Sequence, residues 1–212
     1  MLYSTQPIVV AAIEENDSML NISNFPWAEF NLTEERVLYV RDTLALKRRK
    51  RDTGIMRYRF ELVTIPMPFS QGRSLKAQLS RAVNDTLSFI HPRYSYTQGF
   101  EPNSGIQVSG SIAAGVDNIS LTSVDSWQLM AGDLIQPSDD TKVYEVAEDT
   151  ATGVGVKSVK LTSLIRNPLV DGSDMTVNDV VFFLESDGVI EIATDASDGQ
   201  EIEITLNVVE KL

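Results

Sequence analysis

Residues Ile55 to Ile65 alternate with period two. Tyr58, Phe60, Leu62 and Thr64 fall on one face and Arg57, Arg59 and Glu61 on the other, a pattern that a half-buried strand satisfies and a helix does not. Upstream, Arg36 to Leu46 mixes charged and apolar residues with β-branched and aromatic ones, which predicts a second strand. Between the two lies Lys47-Arg48-Arg49-Lys50-Arg51-Asp52-Thr53-Gly54, whose closing Asp-Thr-Gly supplies turn chemistry for an antiparallel hairpin. The sequence alone does not say which face of this hairpin is buried, because a shift of one residue in register exchanges the faces.

Ile65-Pro66-Met67-Pro68 ends the second strand, since proline donates no ladder hydrogen bond and holds its predecessor extended. Beyond it Leu75, Leu79, Val83, Leu87 and Ile90 recur at spacings of four, four, four and three. That spacing predicts an amphipathic helix over 74–91, with Ser70 or Ser74 as N-cap, Pro92 as the stop and His91 as a capping histidine at its end.

The rest of the chain reads as β material added to this frame. Ile8 to Ile13 is a strand candidate, and Phe25 and Trp27 around Pro26 anchor an irregular N-terminal segment. Arg93 to Tyr96 reads as a short extended segment and Gln98 to Gly105 as a linker. From Ile106 to about Thr176, short β-prone runs (119–121, 134–135, 143–146, 156–164) alternate with Gly and Asp clusters, the spacing of a small all-β unit. Pro168 to Ser173 makes a second linker, and the runs 180–184, 190–193 and 202–206 return to longer strands. The predicted fold is therefore mainly β: a β-sandwich domain over 1–102 and 173–212 with one amphipathic helix, carrying an inserted small β-barrel-like or β-sandwich unit over 103–172.

Composition narrows the chemistry. The 212 residues, 42% hydrophobic and 23% charged, can bury a real core. With no cysteine and one histidine, disulfides, thiolate metal sites, iron–sulfur clusters and multi-histidine sites are excluded. No apolar run approaches the roughly 18 residues of a membrane span, and Pro7 to Ile13 follows no basic residue, so neither a span nor a signal peptide is expected. The net charge of −12 is unevenly divided: residues 1–110 carry 13 basic and 11 acidic side chains, residues 111–212 carry 5 and 19. An acidic half of −14 argues against general nucleic-acid binding, because phosphate repels it.

Candidate sites are few. Asp139, Asp140, Glu145, Glu148 and Asp149 could suggest paired acids for glycoside cleavage or a calcium loop. Tyr144, however, is the one aromatic residue between 130 and 165, and no Asp-X-Asp-X-Asp-Gly run occurs, so they read as solvated loop acids. Gly153-Val154-Gly155 lacks the third glycine of a dinucleotide cradle and reads as a loop. No nucleophile elbow is present. The expectation is a non-enzymatic protein with no catalytic residue, cofactor or metal. The exception with a functional argument is the run Lys47, Arg48, Arg49, Lys50 and Arg51: five consecutive positive charges repel one another and suit an acidic or phosphate partner, or else form a plain solvated tip. The acidic half of a neighbouring copy would fit head-to-tail contact.

The order of these elements resembles a known family. The strand Arg57 to Leu62, the Pro66-Met67-Pro68 link, the amphipathic helix, the segments Leu129-Met130-Ala131-Gly132-Asp133-Leu134-Ile135 and Lys142 to Val146, and the ending Ile204 to Leu212 are similar to distal tail, or baseplate hub, proteins of tailed bacteriophages. The resemblance implies a β-sandwich that oligomerises into a six-fold homo-oligomeric ring at the distal end of the tail tube. Such a ring joins the tube to hub or spike proteins and to fibres, with the inserted unit on its outside. It implies a virion protein of the phage tail, made in the host cytoplasm. The hairpin turn is more basic than that group's, and the helix lacks its aromatic and Gly-rich ending, which leaves a tail tube initiator or adaptor as an alternative. A carbohydrate-binding host-recognition module is another; it needs exposed aromatics in the acidic half, where Trp127, Tyr144, Phe182 and Phe183 occur.

Overall fold

A computed structural model describes residues 19–42, 48–194 and 201–211, with the backbone alone described at 41–42, 48–52, 83, 188–189, 192 and 194. The protein is mainly β, with two sheets in a sandwich-like arrangement and one α-helix among the described residues. The predicted strand Ile8–Ile13 lies outside the described residues. No described helix is long and apolar enough to cross a membrane.

The chain opens with β1 (Leu20–Asn21), β2 (Trp27–Asp42), β3 (Arg48–Thr64), β4 (Met67–Pro68), α1 (Phe69–Arg81) and β5 (Leu87–Ile90). It then leaves to form β6 (Ile106–Val108), β7 (Asn118–Thr122), β8 (Leu134–Pro137), β9 (Tyr144–Glu145), β10 (Lys157–Lys160) and β11 (Asp174–Thr176). It returns as β12 (Val181–Thr194) and β13 (Glu201–Glu210). The first sheet has the order β1-β5-β12-β13-β3-β2, with β4 also on β13; the second has the order β10-β7-β6-β11-β8-β9. β11 belongs to the second sheet, so the chain re-enters the first at Val181 and not at the expected 173.

Two cores form, and the first also takes in Leu134 and Val143 from the second unit. In the first, the alternation in β3 is resolved in favour of its aromatic face: Tyr58, Phe60 and Leu62 are buried, and Phe60 meets Phe182 and Phe89 edge-on at 4.8 and 5.5 Å between ring centroids. Edge-on aromatic pairs at this distance add to the area they bury. Thr64 ends the row and is buried with its hydroxyl accepting the Ile204 N–H at 3.0 Å. The opposite face carries Arg57 and Arg59, which share the Glu35 carboxylate at 2.7 Å each. Trp27 is buried as the start of β2, its indole N–H donating to the Ile22 carbonyl at 2.8 Å; Pro26 thus precedes a regular element instead of preventing one. The second core is built around Trp127, Tyr144, Leu121 and Ile135.

The helix corrects the sequence reading at both ends. It begins at Phe69 directly after Pro68, with no side-chain cap from Ser70 or Ser74. Proline at its start loses nothing, since that N–H has no partner in a helix anyway. Gly72, Leu75 and Leu79 form its buried face. A Cβ on Gly72 would stand 2.0 Å from Ile202 Cδ1, so any larger residue would have to displace the Ile202 side chain where the helix packs on β13. The helix ends at Arg81, tightens into a 3₁₀ turn over Ala82–Asn84 and stops before Asp85. The apolar spacing that seemed to continue through Leu87 and Ile90 belongs to β5, which pairs with β1 and β12. Asn84 and Asp85 offer the backbone competing hydrogen bonds, and the Leu-Ser-Phe-Ile run after them packs well on a sheet. Pro92 therefore follows a strand, and Arg93 to Tyr96 is a turn ending in a bridge between Tyr96 and Asn178.

Candidate functional site

The basic run does not form the hairpin turn. Arg48, Arg49 and Lys50 pair with Asp42, Arg41 and Val40, and Arg51 with Tyr39, so four of the five residues lie along β3; Lys47 and the turn lie outside the described residues. The expected turn residues Asp52-Thr53-Gly54 sit at a break in register instead: Arg36 faces Met56 while Leu38 faces Asp52, which leaves Thr53, Gly54 and Ile55 opposite Val37. This is a bulge, and its chemistry is that of a turn: Gly54 has φ +73°, and the Thr53 hydroxyl donates to the Val37 carbonyl at 2.6 Å. The same residue types suit both, which is why the sequence pointed to the wrong one.

Beyond the bulge the hairpin is a two-stranded arm, because β13 pairs with β3 only over Arg59–Val63. On this arm Val37, Leu38, Tyr39 and Val40 are exposed by 50, 43, 69 and 43%. Successive strand residues face opposite ways, so both faces of the arm present apolar surface.

The acidic residues of the second unit divide into three environments. Asp139, Glu148 and Asp149 are exposed as expected, with Asp139 accepting the Ser173 hydroxyl and Asp149 the Ala131 N–H. Asp140 is instead buried: it accepts the Tyr144 hydroxyl at 3.0 Å and the Lys142 N–H at 3.1 Å, and it pairs with Arg166. Next to it, Lys142 forms a buried salt bridge of 2.6 Å with Glu210, which also accepts the N–H groups of Tyr58 and Val143. Burial lowers the pKa of Lys142, and the Glu210 charge opposes that shift. Glu210 comes from β13 and Lys142 precedes β9, so this network joins the two sheets. The sequence held a signal for it: Ile202, Ile204, Leu206 and Val208 alternate inward, and Glu210 is the next residue on that face.

Glu145 occupies the third environment. It lines a cleft of about 330 Å³ between the sheets with Leu32, Glu34, Tyr58, Tyr94, Gln98, Gly132 and Leu134. Burial, and then a side-chain hydrogen bond with Glu34, raise its pKa from 4.5 to about 7. Glu34 is paired with Arg36 at 3.2 Å. Tyr58 also lines the cleft, and its hydroxyl is fully buried without a hydrogen-bond partner. A carboxyl whose folded pKa is raised contributes stability fully below pH 4.5 and loses it as pH rises through about 7. Glu145→Gln, neutral at every pH, is expected to flatten that slope by about 1 kcal/mol between pH 5 and pH 8 in urea titrations, a figure reduced for partial solvation.

His91 lies at the end of β5, not of the helix. It is buried, its Nδ1 accepts the N–H groups of Arg93 and Tyr94 at 3.1 Å each, and burial lowers its pKa to about 4. It caps the turn that leads out of the first sheet. Gly153 and Gly155 form a loop whose carbonyls accept the backbone and indole N–H groups of Trp127. Among the described residues no three His, Cys, Asp or Glu side chains converge as a metal site would require.

No known family model matches this chain, and no curated protein sequence matches it.

Proposed function

We propose that the protein is a structural component of a bacteriophage tail that self-associates into a ring at the distal end of the tail tube and there contacts hub, spike or fibre proteins. The observation that carries this reading is the arm of β2 and β3. A two-stranded ribbon with apolar residues exposed on both faces is a poor solution for an isolated protein. It suits insertion between neighbours. The basic run along the same arm and the acidic balance of residues 111–212 give such neighbours complementary charge. A six-fold ring, tail partners and a place in the virion follow from the family resemblance and belong to the proposal. The carbohydrate-binding reading loses support, because Trp127 and Tyr144 are both fully buried and offer no platform for a sugar.

Light scattering of the purified protein at low and high salt tests the ring. Assembly is expected at low salt and dissociation at high salt, since contacts between exposed charges are screened over about 8 Å at physiological ionic strength. Serine at all of Lys47–Arg51 should reduce the assembled fraction while leaving the melting temperature of the monomer within a few degrees. A protein that stays monomeric at every salt concentration and retains no tail protein in a pull-down would overturn the reading.

A further inference from the structure

The second unit exposes apolar side chains that its own core does not use. Val124, Val154 and Val156 are exposed by 84, 67 and 62%. Their segments adjoin: the Gly155 N–H, between Val154 and Val156, donates at 2.9 Å to the carbonyl of Ser123, the residue before Val124. One step further along, Trp127 exchanges backbone hydrogen bonds with Gly153, and Phe100, itself 57% exposed, exchanges them with Gln128. Single exposed apolar residues are ordinary, but a group of them on adjoining segments marks an interaction surface. The segments that build this face are also acidic. Residues 123–131 and 147–156 contain Asp125, Glu148 and Asp149 and no lysine or arginine. The next cation along the chain, Lys157, is engaged internally: its ammonium stands over the Trp127 ring at 4.1 Å and donates to the Trp127 carbonyl.

Resting on the self-association proposed above, we propose that this face of the second unit receives the β2–β3 arm of a neighbouring copy. The two surfaces answer each other. On the arm, Val37, Leu38, Tyr39 and Val40 are exposed, and residues 37–52 contain six basic and two acidic residues. Valines among carboxylates thus meet apolar side chains on a basic ribbon, so one contact buries apolar surface from both sides and sets opposite charges together. Contact between two arms, or between two acidic faces, would oppose charges of one sign. Both surfaces are exposed within a single chain, so the occupant is not the chain's own arm. Because arm and face are different surfaces, the contact is heterologous: each copy added leaves one arm and one face free until the last closes on the first.

The test is complementation between two variants of the full chain. Leu38→Ser with Tyr39→Ser removes apolar side chains from the arm, and Val124→Ser with Val154→Ser removes them from the face. All of these residues are exposed, so both variants should melt within a few degrees of the parent at high salt. In light scattering each variant alone should associate more weakly than the parent, on the order of tenfold or more. Mixed in equal amounts, the intact arm of one meets the intact face of the other, and heterodimers but nothing larger should form. A crosslink then locates the contact. The chain has no cysteine, so a copy with Tyr39→Cys and a copy with Val154→Cys should be joined by a short bismaleimide, whereas Val170→Cys, exposed to a similar degree on another segment, should not join to Tyr39→Cys. A face variant that assembles as the parent does, a mixture that stays monomeric, or equal crosslinking at Val170 would overturn the proposal and leave the ring standing. A face variant that assembles normally but loses a tail protein in a pull-down would assign the face to a different partner and overturn it likewise. A parent that is monomeric at every salt concentration defeats the ring and this contact together, and one that joins arm to face in open chains that never close defeats the ring alone.

Discussion

Glu210→Ala is expected to cost about 3–5 kcal/mol of stability, the range for removing one partner of a buried ion pair. The side chain is fully enclosed, and its two oxygens accept from Lys142 Nζ at 2.6 Å, Val143 N at 2.9 Å and Tyr58 N at 3.2 Å. Alanine would leave a buried ammonium without a counter-charge and two backbone donors without acceptors. For a chain of this length each kcal/mol lowers the melting temperature by about 2–4 °C, so a fall of roughly 6–20 °C should appear in a thermal scan. Glu210→Gln combined with Lys142→Met removes both charges but keeps an acceptor for only one of the two N–H groups, which bond to different carboxylate oxygens, and it should recover part of the loss. If the single variant melts within 2 °C or so of the parent, the bridge carries no such energy.

Trp127→Ala should cost a similar amount, about 3–5 kcal/mol, by emptying the centre of the second core. The residue is fully buried, exchanges backbone hydrogen bonds with Gly153 at 2.9 and 3.3 Å, and donates its indole N–H to Gly155 at 3.2 Å. The Lys157 ammonium lies over its ring at 4.1 Å. The protein has two tryptophans, one in each core, so in this variant Trp27 alone reports on the first sheet. Urea unfolding followed by Trp27 fluorescence and by circular dichroism should then separate into two transitions, the second unit melting first. Coincident transitions would mean that the network around Glu210 makes the two units a single cooperative body.

How legible these features were depended on the sequence distance over which they are made. The alternation in β3 was readable because a strand repeats its environment every second residue, and Tyr58, Phe60 and Leu62 are all buried as one face. The short runs of the second sheet were readable from their Gly and Asp punctuation. The helix was over-extended because Leu87 and Phe89 face the core in a strand whose Leu87 and Ile90 happen to continue a helical spacing. The site residues were hidden for a different reason. Lys142 meets Glu210 across 68 positions, and Glu34 meets Glu145 only because β2 and β9 face each other across the cleft. Glu210 alone carries a local signal: it continues the inward-facing apolar row of Leu206 and Val208, whereas Glu34, after Phe30 and Leu32, is exposed. A carboxylate in such a place requires a partner, although the sequence does not say which.

The second unit departs from and returns to two adjacent, hydrogen-bonded strands. Ile90 at the end of β5 is paired with Val181 at the start of β12, and just beyond them the Ser95 hydroxyl donates to the Val180 carbonyl at 2.7 Å. Topologically, some ninety residues occupy the place of a hairpin loop. Because closure entropy rises only slowly with loop length, this junction can accept cargo of very different size without disturbing the strands that flank it. A foreign domain whose own termini lie close together could be grafted there, provided that the surface now covered by Leu134 and Val143 is made polar and that Glu210 loses its charge along with its lysine. The same doorway is a route by which related chains could exchange their outer modules while keeping one scaffold.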